Sequence, residues 1–98
     1  MNYQLTSEAR DDLAQAAAYY ESRRGGLGGE FLIEIGIGIA RLLDAPQRWP
    51  IYEGTVRKYR LDRFPYGIFY RQSGPQQIVI VAVFDLRRDL ESLADRFE

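Results

Sequence analysis

The stretch from Val56 to Arg71, VRKYRLDRFPYGIFYR, sets Arg57, Lys58, Arg60, Arg63 and Arg71 among Tyr59, Phe64, Tyr66, Phe69 and Tyr70. Asp62 is its one carboxylate, so five cations less one anion leave a local charge of +4. Guanidinium forks hold phosphates and phenol rings stack on bases, so these residue types suit an anionic partner, nucleic acid included. The same residues also make cross-strand aromatic and charge pairs on a solvated sheet face. Alternation along strands divides them in either case. Tyr66, Ile68 and Tyr70 fall on one side with Gly67, Phe69 and Arg71 on the other, and Arg57, Tyr59 and Leu61 oppose Lys58, Arg60 and Asp62. Two more cations, Arg87 and Arg88, follow the apolar run IVIVAVF and Asp85.

What is missing narrows the chemistry. The chain has no His and no Cys, which removes imidazole and thiolate as nucleophile, general base or metal ligand. Its carboxylates are scattered, with no pair spaced for acid-base or metal work, so neither a metal nor a cofactor is expected. GGLGGE is rich in glycine but lacks the lysine-hydroxyl pair of a phosphate loop, and reads as a hairpin turn. A net charge of -1 argues against a general coat for nucleic acid. Residues 1 to 54 hold five basic and eight acidic groups, -3, whereas the remainder holds eight and six, +2. An anionic partner therefore belongs on the second half.

These residues have to be positioned by a small fold. Ninety-eight residues allow one hydrophobic core of ordinary size, so 1–98 is expected to be a single domain. With 46% hydrophobic and 28% charged residues the composition is globular, and no apolar run reaches the roughly 20 residues of a membrane span. The opening MNYQLTSEAR has no basic segment followed by an apolar stretch, so a cytoplasmic location is expected.

Tyr3 and Leu5 alternate with polar neighbours as in a short strand, and Thr6 or Ser7 then offers a helix N-cap. Ala9, Leu13, Ala16, Ala17 and Tyr20 repeat at helical spacing, with Arg23-Arg24 and Gly25-Gly26 as the stop. Glu30 to Ala45 fits both periods; its length and the stripe Phe31, Ile35, Ile39, Leu42 and Leu43 favour a second helix. Gly36 and Gly38 then suggest close approach to the alanine face of the first helix, in an antiparallel hairpin turning at Gly25 to Gly29. Pro46 and Pro50 end the pair, and Trp49 between them suits a plug over the core. Three strands follow, around Val56 to Leu61, Tyr66 to Arg71 and Ile78 to Phe84, with links short enough for antiparallel neighbours. Asp89 can cap a last short helix whose stripe is Leu90, Leu93, Ala94 and Phe97. The expected class is α+β, in the order β-α-α-β-β-β-α, with the helices on one side of a mostly antiparallel sheet.

This layout resembles the RelE/ParE superfamily of type II toxin-antitoxin toxins, also called plasmid stabilisation proteins, over nearly the whole chain. YQLTSEARDDLAQAAAYY resembles its first strand and Ala-Asp-Leu helix, and Phe31 to Pro50 its second helix and loop. VRKYRLDRFPYGIFYR with IVIVAVFDLRRDLESL resembles its basic strand, Phe-Pro-Tyr, aromatic-Arg strand end, apolar strand and Arg-Arg-Asp exit. One departure is Asp85, where many members carry His.

The resemblance implies a growth-inhibiting toxin, a cognate antitoxin (ParD-like or similar) whose acidic, amphipathic C-terminal segment folds onto it, and contact with DNA only through that antitoxin. In the RNA-cleaving branch, which cuts mRNA on the ribosome, Lys58, Arg60, Arg71, Tyr70 and Arg87, with Arg57, would bind substrate and stabilise a phosphorane. Asp85 removes the obvious general acid, and unperturbed Tyr and Lys titrate near pH 10. RNA-cleaving relatives are also strongly basic, so the gyrase-directed ParE branch fits better, acting by protein contact on DNA gyrase. Candidate residues for target or antitoxin binding are Arg57, Lys58, Arg60, Arg63, Tyr66, Arg71, Arg87 and Arg88. A chain that retains antitoxin binding without toxicity is a third reading.

Overall fold

The computed structural model describes residues 1–97. Strand β1 (Asn2–Leu5) leads into helix α1 (Ser7–Arg23), whose first turn is capped by the Thr6 hydroxyl accepting from the Ala9 N–H at 3.1 Å. Helix α2 (Leu27–Asp44) returns antiparallel, and strands β2 (Ile51–Glu53), β3 (Val56–Arg60), β4 (Tyr66–Gln72) and β5 (Gln77–Asp85) follow, then a 3-10 helix over Leu90–Phe97. The sheet order is β1-β5-β4-β3-β2, with β1 parallel to β5 and every other neighbour antiparallel.

The expected α+β architecture and both hairpin helices are present, and four details correct the sequence reading. First, a fifth strand, β2, lies on the edge beside β3. Three residues behind two prolines are too few to show a period. Second, α2 begins at Leu27, so the turn is only Arg24 to Gly26, and Gly28 and Gly29 are helical. Gly26 takes φ 89°, and the Glu21 carboxylate accepts from the N–H groups of Gly26 (2.9 Å) and Gly28 (3.0 Å), serving as the cap that Gly26 cannot supply.

Third, the glycine that meets α1 is Gly28, not Gly36 or Gly38. A Cβ there would sit 2.6 Å from the Ala17 carbonyl oxygen, whereas at Gly38 it would meet the Tyr59 ring at 2.8 Å, on the sheet side. Gly36 has open space beside it. Fourth, the final helix is 3-10 and covers the sheet face opposite the hairpin. Leu93 and Phe97 are buried there with Val56, Phe69, Val79 and Val81, whereas Ile68, Tyr70, Ile78 and Ile80 pack under the hairpin. The unbroken apolar run of β5 follows, because both its faces are covered.

One residue, Val81, is inserted into β5 between the pairs Tyr70↔Ile80 and Phe69↔Ala82, a bulge that lets Val81 and Ala82 share one face. Strand β1 ends at Leu5 opposite Ile80, so the edge of β5 beyond the bulge has no strand partner. Asp12 and Arg96 take its place. The Val83 N–H donates to the Asp12 carboxylate at 3.1 Å, Arg96 donates to the Val81 carbonyl at 3.4 Å, and the two side chains form an ion pair. At the other end of the core Tyr20, Phe31, Phe64 and Tyr66 cluster with ring centroids 4.8–6.0 Å apart, edge-on in every contact but the tilted Tyr20–Phe31 pair.

Candidate functional site

Apart from Arg63, the cationic candidates of the sequence are spread over three places in the fold. Arg57 lies on the hairpin side and donates to the Trp49 carbonyl at 2.6 Å and to that of Gln47 at 3.4 Å. Its cross-strand neighbour Tyr70 is buried, and its hydroxyl donates to the Pro46 carbonyl at 2.7 Å. Burial pushes the Tyr70 phenol above its ordinary value, so it stays protonated near neutral pH and offers no phenolate base. Both residues hold the loop between α2 and β2. Trp49 lies partly buried in that loop with its ring 5.0 Å from that of Tyr59, the plug its position suggested.

Lys58, Arg60 and Arg71 occupy the opposite face. The Lys58 ammonium lies 5.3 Å from the centre of the Tyr52 ring. Arg60 is exposed and has no ion pair among the described residues. Arg71 lines a small hollow with Thr6, Glu8, Asp95 and Arg96. Arg63 belongs to neither group: it pairs with Glu30 at 2.9 Å, and Glu30 also takes Arg24 at 3.2 Å. These two arginines hold the Glu30 carboxyl below its usual range.

The third place is a cleft of about 390 Å³ between α1 and the C-terminal end of β5. It brings together Tyr66, Arg87 and Arg88 from the sequence candidates with Asp85, and adds Asp12, Gln15 and Tyr19 from α1. The α1 residues recur at spacings of three and four, beside the alanine face, and that polar stripe is the signal by which the sequence could have revealed them. Tyr66 and Tyr70 are four residues apart on β4, about 13 Å along the strand, so the Arg57 and Tyr70 pair does not reach this cleft.

Within the cleft the charges are largely paired. Asp85 accepts the Arg87 backbone N–H at 2.9 Å and its guanidinium twice, at Nε (3.0 Å) and Nη2 (2.9 Å). The Arg87 guanidinium holds the Asp85 carboxyl below the usual carboxylate range, and burial opposes this only in part. Burial raises the phenols of Tyr66 and Tyr20, so both stay protonated at neutral pH. Arg88 is exposed, lies 5.1 Å from the centre of the Phe84 ring, and has no ion pair among the described residues. The cleft thus offers one uncommitted guanidinium, phenol donors and an apolar floor, which suits a carboxylate-bearing or aromatic side chain of a protein partner. Among the described residues no group of three or more acidic side chains is arranged to hold a metal ion.

Comparison with known proteins agrees with this fold. A family model described as "ParE toxin of type II toxin-antitoxin system, parDE" matches residues 3–90. No curated protein matches the chain. Among solved structures, one described as "Chromosomal ParDE TA system from P. aeruginosa" superposes with a TM-score of 0.77. It is 21% identical over 88% of this chain and 96% of that one, a likeness of fold.

Proposed function

The chain belongs to the ParE toxin family of type II toxin-antitoxin systems, and we propose that it inhibits growth by binding DNA gyrase and is neutralised by a cognate antitoxin. The observation that carries this reading is the dispersal of the candidate catalytic groups. An RNA-cleaving site needs a proton acceptor, a proton donor and phosphate-binding cations around one bond. Here Lys58, Arg60 and Arg71 lie across the sheet from Tyr70, and Arg87 is engaged by Asp85. Such a surface favours contact with a protein over bond cleavage, and it would act in the cytoplasm, where gyrase works.

The antitoxin supplies the missing anionic partner. Lys58, Arg60 and Arg71 share one sheet face, and the adjacent edge strand β2 exposes Ile51 and Tyr52. An acidic, partly apolar segment adding as a strand along β2 would meet the cations and cover the apolar side chains together. It would reach DNA through the antitoxin alone. Reversing Arg60 and Arg71 together (Arg60→Glu, Arg71→Glu) should weaken antitoxin binding at least about tenfold, with a steeper loss at low salt. Calorimetric titration showing unchanged affinity would place the antitoxin elsewhere.

The target is tested by inducing the chain alone in bacteria and following labelled thymidine and labelled methionine. Early loss of thymidine incorporation with intact mRNA is the expected result. Early loss of methionine incorporation, with mRNA cut at A-site codons, would assign the chain to the ribosome instead. Normal growth would mark a chain that binds antitoxin without toxicity.

A further inference from the structure

One side of α2 is unaccounted for by the fold. Gly29, Leu32, Ile33, Gly36, Ile37 and Ala40 recur at helical spacing, and all are exposed and uncharged. Ile33 is 66% exposed, Leu32 45% and Ile37 43%, which is unusual for a helix whose opposite side already fills the core with Phe31, Ile35 and Ile39. Gly36 stands at the middle of this stripe and of the helix. Glycine weakens a helix interior relative to alanine, and Gly28 and Gly38 repay that by close packing. A Cβ on Gly36 would meet nothing within 4 Å. No contact inside the chain calls for glycine there, so its reason lies in something that approaches from outside.

The charges around the stripe point to the occupant. Arg24 and Arg63 are taken by Glu30, and Arg41 donates to Asp62 and to the Tyr59 hydroxyl. Within α2 itself Arg41 is the one cation and it is paired, so an acidic segment would find less to hold it here than on the face that carries Lys58, Arg60 and Arg71. The surface that an uncharged apolar stripe fits best is another of its own kind, and a net charge of -1 sets little repulsion against it.

We propose that two copies of the chain associate through α2, packed antiparallel about a two-fold axis at Gly36. Such a contact is isologous: residues equally far before and after Gly36 meet, so Leu32 of one copy lies over Ala40 of the other. Leu32 then meets a methyl group, Ile33 and Ile37 flank the axis, and Gly36 lets the backbones approach. An 18-residue helix offers a strip roughly 27 Å long and 10 Å wide, below the ~800 Å² per partner of a standard interface. The dimer is accordingly weak and forms only at high protein concentration. It does not depend on gyrase being the target.

Sedimentation velocity of the full chain from micromolar to millimolar concentration tests this. The wild-type chain should shift from monomer to dimer across that range, and Ile33→Lys and Ile37→Lys should each stay monomeric with an unchanged circular dichroism spectrum. Gly36→Ala separates a contact from a fold effect: it should raise the melting temperature of the dilute monomer while weakening association about tenfold. A wild-type chain that is monomeric throughout overturns the dimer, as does one whose association ignores both lysines. If the lysines instead abolish capture of the co-expressed antitoxin by a monomeric chain, the stripe belongs to the antitoxin and the dimer is likewise overturned.

Discussion

At Asp85 a carboxylate accepts three bonds from one arginine, and the pairing governs what the cleft presents. With its folded pKa below the unfolded value, the carboxylate stabilises the protein above the usual range near pH 3.9. That stabilisation is lost as the pH falls through the folded pKa. Arg87 is mostly solvent-facing, so the pair is worth no more than about 1 kcal/mol. Asp85→Asn should therefore cost about 0.5–1 kcal/mol at pH 7 and progressively less as the pH falls through the folded pKa, as read from urea midpoints at several pH values. Equal losses at both extremes would mean that the pair is not the cause.

Asp85→His bears on function, because it restores the residue common in the family and releases Arg87. Lys58, Arg60 and Arg71 still lie on the far face of the sheet, so mRNA in a translation extract should stay intact with this variant. Appearance of A-site cleavage would show that Asp85 alone had silenced a nuclease. No counterpart of the Asp85–Arg87 pairing is visible in the sequence: VFDLRRD offers two arginines within three residues, and only the turn after β5 selects one of them.

Among the elements, α2 shows how one residue type serves different ends. Gly28 faces the Ala17 carbonyl and Gly38 faces the Tyr59 ring, so Gly28→Ala and Gly38→Ala should each destabilise by about 1–3 kcal/mol. Gly29 is exposed with open space beside it, and Gly29→Ala should gain up to ~0.5 kcal/mol. Thermal melts of the three variants check this order, and a destabilising Gly29→Ala would contradict it. The helices themselves were legible because Ala9, Ala16, Phe31, Ile35 and Leu42 keep helical spacing and are buried. Which glycine meets which neighbour was not legible. It depends on the rotation of α2 about its axis, which the Glu21 cap and the early start at Leu27 set together.

Across the whole molecule, the sheet separates two apolar layers of unequal cover. The hairpin shields one with two long helices, whereas the other rests under the 3-10 helix and the rings of Tyr52, Phe69 and Phe97, centroids 5.4–5.6 Å apart. IVIVAVF announced that β5 would be interior, and the periodicities from Tyr3 to Phe97 marked the order of elements apart from β2. The side taken by the last helix was hidden, since Leu90, Leu93 and Phe97 fit either face until the bulge at Val81 turns the strand. Arg96 then ties that helix to Asp12 where β1 stops pairing with β5.

This thin second layer should be the weak part of the fold. Asp12→Ala leaves the Val83 N–H without its acceptor and Arg96 without its counter-charge, a loss of about 2–3 kcal/mol. Leu93→Ala, which empties a fully packed position, should cost about 2–4 kcal/mol. Ending the chain at Asp89 removes Leu93, Arg96 and Phe97 together and uncovers Phe69, Val79 and Val81. The shortened chain should bind a hydrophobic dye and lose its near-ultraviolet circular dichroism while keeping the helical far-ultraviolet signal of the hairpin. An unchanged urea midpoint for that chain would show instead that the hairpin layer alone holds the sheet, and that the closing helix merely covers it.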